Sequence, residues 1–367
     1  MNSNSLGIYI HIPYCRSKCP YCDFFSMRGN KANYIEYVDL LKNSVKYWSG
    51  KTDKTVDTIY LGGGTPSVLG ADSVYEIIKS VKEYFNVTNN AEITMEANPS
   101  SGKFFDFEKV KEIGLNRVSL GIQSANSNEL KKLGRIHSRE DVINTIELIK
   151  KAGIDNISLD IMLGIPEQSQ ESLRETIDFC VNTEVKHISS YILKLEENTF
   201  FYKNQDRYNF PDEDMTSDLY LYSIEYLREN GFNQYEISNF SKPGFESRHN
   251  LKYWNLNDYL GIGAAAHSFL DGRRFYYGRS VEDFKNNIII NDGIGGTKEE
   301  YIMLKLRLKS GLSLDEYKKA FGEDVSKDFL NKINIYNKAG YLDIKNDSVS
   351  FSDKGFLVSN SIISELI

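Results

Sequence analysis

Cysteine is scarce in this sequence, with four residues in 367. A secreted chain braced by disulfides spreads paired cysteines along its length. Here three fall between positions 15 and 22, and the fourth, Cys180, stands alone. That pattern argues against a disulfide framework and for a reducing, cytoplasmic setting with a metal site. No apolar run reaches the roughly 18 residues that a membrane-spanning helix requires, so no span is expected. The opening stretch, MNSNSLGIYIHIPYC, lacks the basic segment and long apolar core of a secretory signal. Positive charge is not in excess either. The 44 Lys and Arg face 51 Asp and Glu, a net charge of −7, which gives no general attraction to nucleic acid or an anionic membrane. There is no internal repeat and no low-complexity linker.

What is present is alternation. Leu6–Ile12, Val56–Leu61, Glu92–Glu96, Arg117–Gly121, Asn156–Met162 and His187–Leu193 read as six strands. Helical spacing of apolar residues separates them over Tyr34–Trp48, Asp72–Phe85, Ser138–Ala152 and Gln170–Val181, with Asp72 in an N-cap-like position. Six βα units in succession imply an α/β fold with a parallel sheet. Periodicity alone leaves an open doubly wound sheet and a complete or partial (β/α) barrel both available. The polar residues of interest, Gly62–Thr65, Glu96, Gln123 and Asp160, fall at or just after strand ends, where parallel α/β folds gather their sites. The pattern loosens after about residue 195. One further helix is expected over Pro211–Asn230, and Gly231–Trp254 shows no clear period. From about Thr297 three helices and a strand pair form a unit that resembles a winged helix. The expected domains are therefore 1–235, 236–296 and 297–367.

The three clustered cysteines, Cys15, Cys19 and Cys22, have the spacing C-x3-C-x2-C. They supply three thiolates from one loop. Iron–sulfur clusters ordinarily take four ligands, so three suit a cubane with one iron open to a small ligand. A structural zinc site using the three cysteines and His11 is the alternative, and spacing alone leaves both open. Cys180 falls on the apolar face of a helix with Leu173 and Ile177 and reads as a core thiol.

Context narrows the choice. The run Cys15-Arg-Ser-Lys-Cys19-Pro-Tyr21-Cys22 resembles the cysteine motif of radical S-adenosylmethionine (SAM) enzymes, and it follows a first strand as it does there. Then come Gly62-Gly63-Gly64-Thr65-Pro66, Met95-Glu96-Ala97-Asn98-Pro99, Gly121-Ile122-Gln123-Ser124, Leu133-Gly134-Arg135-Ile136-His137 and Asp160-Ile-Met-Leu-Gly164-Ile165-Pro166. This ordered set, beginning at Tyr9-Ile-His11-Ile-Pro13-Tyr14, resembles the oxygen-independent coproporphyrinogen III oxidase family over nearly the whole chain. The resemblance implies a partial (β/α)6 TIM-type barrel with a C-terminal α+β extension ending in the winged-helix-like unit. It implies a [4Fe–4S] cluster on Cys15, Cys19 and Cys22. It also implies SAM contacts from Tyr9, Gly63, Gly64, Thr65, Glu96, Gln123, Arg135 and Asp160. The chemistry this brings is one-electron cleavage of SAM, with the electron delivered by an external donor.

Two departures separate the sequence from the oxidases. They carry another cysteine two residues after the third ligand, where this sequence has Phe24, and a longer segment ahead of the first strand, where eight residues precede Tyr9. Both features resemble the HemW subgroup, proposed haem chaperones. So does Ser247-Arg248-His249-Asn250-Leu-Lys-Tyr253-Trp254, which carries that subgroup's H-N-x-x-Y-W signature, and so does Tyr259-Leu260-Gly261-Ile262-Gly263 with Ala266-His267-Ser268. Ala264-Ala265 replaces the usual Gly-Pro pair. The resemblance implies haem binding, with His249 a candidate axial ligand, and transfer of haem to an acceptor protein. Alternatively, this segment packs over the barrel mouth and its histidines form hydrogen bonds. Enzymatic turnover, as a coproporphyrinogen oxidase, is the competing function. Arg16, Lys18, Arg28 and Lys31 make the cysteine loop basic and suggest docking of an acidic donor such as reduced flavodoxin. From Thr297 onward eleven basic and eleven acidic residues balance, so no nucleic-acid footprint is expected.

Overall fold

The computed structural model describes residues 4–367. Six strands, β1 (Ser5–Ile12), β2 (Thr55–Gly63), β3 (Val87–Ala97), β4 (Arg117–Gln123), β5 (Asn156–Leu163) and β6 (His187–Ile192), lie side by side in sequence order, all parallel. The two-residue period of a strand explains why. In β1, Leu6, Ile8, Ile10 and Ile12 are fully buried in the aliphatic core, as are Val118, Leu120 and Ile122 of β4 and Ile157, Leu159, Ile161 and Leu163 of β5. Burial is worth about 2 kcal/mol for each such side chain. The alternate positions carry a different chemistry: Tyr9 and His11, Arg117, Ser119 and Gln123, Ser158 and Asp160. One face of the curved sheet is thus oil under helices, and the other is a polar interior.

The helices Lys31–Ser49, Arg139–Lys151 and Gln170–Asn182 open with capping boxes from Asn30, Ser138 and Ser169. The helix Ala71–Tyr84 does not start as the sequence led us to expect. Gly70, at φ +83°, is its N-cap, and Asp72 sits inside the first turn. There its carboxylate faces the helix dipole favourably and pairs with Lys109.

The barrel is partial, and both of its edges are extended. Beyond β6 come the antiparallel strands β8 (Asn239–Ser241) and β7 (Asn233–Glu236); the latter spans the expected 235/236 boundary. Beyond β1 lies β9 (Tyr259–Ile262), parallel to it, followed by the antiparallel β10 (His267–Leu270), β11 (Arg273–Tyr277) and β12 (Ile289–Ile294). The result is one continuous twelve-stranded sheet. The C-terminal part has helices Lys298–Lys305, Leu314–Phe321 and Lys327–Lys338 around a small antiparallel sheet. That sheet orders β13 (Leu312–Ser313), β15 (Ser348–Phe351) and β14 (Leu342–Lys345). It docks through backbone bonds from Ile237 N–H to Arg307 C=O and from Lys309 N–H to Tyr235 C=O, and through Arg228 on Asp353 at 2.7 Å. Among the described residues no helix is long and apolar enough to cross a membrane.

The helix Arg248–Trp254 carries the H-N-x-x-Y-W residues, and its position corrects an expectation. It does not cover the barrel mouth. Its hydrogen-bond and ion-pair partners Ser5, Asp57, Thr58 and Glu92 lie in the first half or at the middle of their strands, away from the cysteine loop. Glu92 of β3 accepts hydrogen bonds from the backbone N–H groups of Arg248 (3.1 Å) and His249 (3.0 Å), satisfying the free donors of the helix start. Lys252, only 4% exposed, meets Asp57 of β2 at 2.7 Å and donates to Ser5 Oγ of β1 at 3.1 Å. The helix is therefore a plug for the barrel floor. Replacing the buried lysine in Lys252→Met leaves the Asp57 carboxylate without its cation and should cost about 2 kcal/mol, read as a lower urea midpoint. An unchanged midpoint would mean that water already satisfies this pair.

Candidate functional site

The loop after β1 is fixed at both ends before it presents its thiols. Met27 N–H donates to Pro13 C=O (2.7 Å) and Cys15 N–H to Met27 C=O (3.0 Å), which closes the loop's base. Inside it, Cys22 N–H turns back onto Cys19 C=O (3.2 Å), and Pro20 C=O accepts from Phe201 N–H (3.0 Å). Cys15, Cys19 and Cys22 are all unpaired and partly exposed. Burial pushes the Cys15 and Cys22 thiols up.

The glycine turn after β2 packs directly on this loop. Gly64 N–H donates to Ile12 C=O (2.7 Å) and Thr65 N–H to Tyr14 C=O (2.8 Å). A Cβ at Gly64 would lie 2.7 Å from the Tyr14 carbonyl oxygen and 2.8 Å from that of Ile12, so no side chain fits. Thr65 Oγ1 then stands 3.5 Å from Cys15 Sγ.

The remaining groups come from the polar face of the sheet. Glu96 accepts from Tyr60 O–H (2.8 Å) and from Gly63 N–H (3.1 Å). Burial, with Asp160 nearby adding to it, raises its carboxyl to about 7 against the opposing pull of those two donors and Arg117. Asp160 accepts from Ser119 Oγ at 2.9 Å and from Ser158 Oγ at 3.2 Å. Gln123 is buried with φ +63°, in the left-handed region that non-glycine residues seldom occupy, where the β4–β5 register shifts. Arg135 reaches back to the cysteine loop, donating to the Tyr21 hydroxyl at 2.7 and 3.2 Å.

These side chains surround one cavity of about 590 Å³. Cys15, Cys19, Cys22, Gly63, Gly64, Thr65, Glu96, Gln123, Arg135 and Asp160 all line it. Two expected residues lie elsewhere. Tyr9 is not on the lining; its hydroxyl donates to His11 Nδ1 (2.9 Å), because His11 Nε2 must donate to Phe25 C=O (3.0 Å). Its ring lies 6.2 Å from that of Tyr60, which does line the cavity.

His249 is fully buried in the floor plug, with Nδ1 paired to Thr58 Oγ1 (2.9 Å) and Nε2 to the Tyr253 hydroxyl (2.8 Å). Burial lowers its pKa to about 3. Both ring nitrogens are occupied, so this arrangement does not fit axial haem ligation by His249. The hydrogen-bonding alternative is the one observed.

The sequence reading missed Tyr60, Arg117, Ser119 and Tyr191, which also line the cavity, as does Asn250 from the plug helix. Arg117 and Ser119 share strand parity with Gln123, and that two-residue period was the available signal.

The donor set bears on the zinc alternative. His11, the fourth ligand of the zinc alternative, has both nitrogens bonded within the fold. Three thiols facing a roomy cavity with carboxylates, an amide and a guanidinium suit a multi-iron cluster with an amino-acid-bearing ligand beside it.

Comparison with known proteins agrees. The model described as Radical SAM superfamily matches residues 9–180, and that described as HemN C-terminal domain matches residues 298–358. Heme chaperone HemW of Lactococcus lactis subsp. lactis (strain IL1403) is 33% identical over 379 residues, covering 98% of this chain and 96% of its own. The protein of that name from Buchnera aphidicola subsp. Schizaphis graminum (strain Sg) is 36% identical over 374 residues, covering 98% and 97%. That from Escherichia coli (strain K12) is 38% identical over 276 residues, covering 73% and 72%. Among solved structures, coproporphyrinogen III oxidase (HemN) from Escherichia coli, a radical SAM enzyme, superposes with a TM-score of 0.84 over 98% of this chain and 89% of its own. At 19% identity that likeness is one of fold.

The raised carboxyls have a consequence for stability. Burial lifts Glu236, like Glu96, from 4.5 to about 7. Between those two values each of these carboxyls holds more protons in the folded chain than in the unfolded one, so its contribution to stability falls as pH rises through that window and levels off above it. The buried histidines, whose pKa values are lowered, act in the opposite sense below about pH 6.5. The test is therefore the difference between proteins. From pH 5 to 7 the urea midpoint of the wild type should fall relative to that of Glu96→Gln, and from 7 to 8 the difference should hold constant. A slope unchanged by the substitution would contradict the assignment of Glu96.

Proposed function

The chain belongs to the HemW family of the radical SAM superfamily, and from that premise we propose that it binds haem in the cytoplasm and passes it to an acceptor protein. Curated haem chaperones at 33–36% identity over 98% of the chain carry this reading. Phe24 supports it, since a phenyl ring, 68% exposed on the cavity lining, stands where the resembling oxidases place a cysteine.

Family membership brings a [4Fe–4S] cluster and SAM, which together supply one-electron reductive chemistry. In this reading Cys15, Cys19 and Cys22 hold the cluster. Gly63, Gly64 and Thr65 offer backbone and hydroxyl groups to the methionine end of SAM, while Arg135 pairs with its carboxylate. Glu96, Gln123 and Asp160 take its ammonium and ribose hydroxyls. The strained Gln123 backbone and the packed Gly64 turn hold these groups in place, and the plug helix contributes Asn250 from below.

The test is one anaerobically reconstituted sample, assayed for haem binding by titration and for protoporphyrinogen formation from coproporphyrinogen and SAM. Stoichiometric haem binding without turnover is expected. Turnover would instead make the chain an oxidase.

Cluster reduction requires a donor. The cysteine loop exposes Arg16, Lys18, Arg28 and Lys31, which suits an acidic carrier such as reduced flavodoxin. Reversing charge in Arg16→Glu with Lys18→Glu should slow cluster reduction by flavodoxin about tenfold at low ionic strength, and less in salt. Equal rates for the two proteins at both ionic strengths would rule out this docking face.

A further inference from the structure

If His249 is closed to iron, another group must meet it, and the five histidines can be sorted by what their rings already do. His11 bonds Tyr9 and Phe25, His187 bonds Ser158 Oγ and the Tyr235 hydroxyl, and His249 bonds Thr58 and Tyr253. These three are buried, and so is His137. His267 alone is exposed, and neither of its ring nitrogens has a hydrogen-bond partner among the described residues.

Its surroundings are those of a flat, apolar, anionic ligand. His267 stacks on Tyr276 with ring centres 4.6 Å apart and planes 19° from parallel. In register, His267 of β10 faces Tyr276 of β11, which faces Ile290 of β12. A cross-strand row shares one face of a sheet, so imidazole, phenol and an exposed isoleucine form a continuous strip. Ile290 and its neighbour Ile288 are 39% and 46% exposed.

The charged groups facing the imidazole are Asp292, Arg274 and Arg279. Arg274 is committed to Glu300 and Tyr259. Arg279 is exposed and makes one weak contact, to Asp23 C=O of the cysteine loop at 3.4 Å, so it is available to an anion. That contact also sets the strip beside the loop. β9 runs parallel to β1, so His267, at the start of the antiparallel β10, lies at the cluster end of the barrel.

We propose that His267 is the axial ligand of bound haem, with the macrocycle lying along the Tyr276–Ile290 strip and a propionate paired to Arg279. This rests on the haem-binding reading above and names its site. Neutral imidazole is an ordinary haem ligand, and apolar contact together with an arginine–carboxylate pair supplies the rest. Because the ligand stands on an exposed face of the sheet and not in a closed pocket, an acceptor protein can reach the haem directly.

The experiment titrates ferric haem into the full-length, cluster-reconstituted protein under anaerobic conditions and follows absorption and electron paramagnetic resonance. His267→Ala should weaken binding about tenfold or more and abolish the imidazole-ligated signature, and added imidazole should restore that signature. His249→Gln should keep both, and Tyr276→Ala should weaken binding with the ligand signature retained. Iron content and circular dichroism establish that each variant is folded. Wild-type affinity and spectrum in His267→Ala, or loss of the imidazole signature in folded His249→Gln alone, would overturn the assignment. If the wild-type protein binds no haem at all, the haem-carrier reading fails together with this one.

Discussion

Two backbone hydrogen bonds hold the site together: Gly64 N–H to Ile12 C=O and Thr65 N–H to Tyr14 C=O. They clamp the glycine turn of the second strand onto the root of the cysteine loop. The clamp exists because Gly64 has no side chain; a methyl group there would press on two carbonyl oxygens. From this contact the rest follows. Thr65 is set beside Cys15, Gly63 N–H is turned onto Glu96, and the loop is held open toward the cavity. Arg135 closes the other side by gripping Tyr21 between the second and third cysteines.

The clamp sits at one end of a barrel whose interior is unusually polar, and that interior explains the floor. Glu92, Arg117, Ser158 and His187 are buried on the inward face. Buried polar groups are costly unless partnered. The plug helix supplies partners: its amides satisfy Glu92 and its His249 satisfies Thr58. The H-N-x-x-Y-W residues thus have a physical role that requires no ligand. His249 and Tyr253 complete a buried network, and Asn250 reaches the cavity from below. In this reading the haem site lies on the exposed face of the sheet's extension, outside the barrel, and the barrel interior is left to the cluster and SAM.

The parts of the fold legible in the sequence are those with a strong period. Leu6, Ile8, Ile10 and Ile12 mark their strand plainly, and the six parallel strands appear in the expected order. The extensions were not legible, because β8 and β9 are three and four residues long and the plug helix seven. Segments of that length show no period above background. The start of the helix Ala71–Tyr84 was misjudged because Asp72 has the composition of a cap, whereas the backbone turns at Gly70. At the site, residue types and their order were enough to name ten of the side chains that line the cavity. Burial was not readable. Nothing in the letters at 249 and 267 distinguishes a histidine sealed by two hydroxyls from one standing open beside a tyrosine ring.

The most direct measurement is the effect of SAM on the electron paramagnetic resonance spectrum of the reduced cluster, in the wild-type protein and in Gly64→Ala. If the glycine turn clamps the loop and completes the cavity, SAM will change the wild-type spectrum. The variant, still loaded with iron, will respond weakly or not at all. A Gly64→Ala protein that takes up SAM and shifts its spectrum as the wild type does would contradict the account.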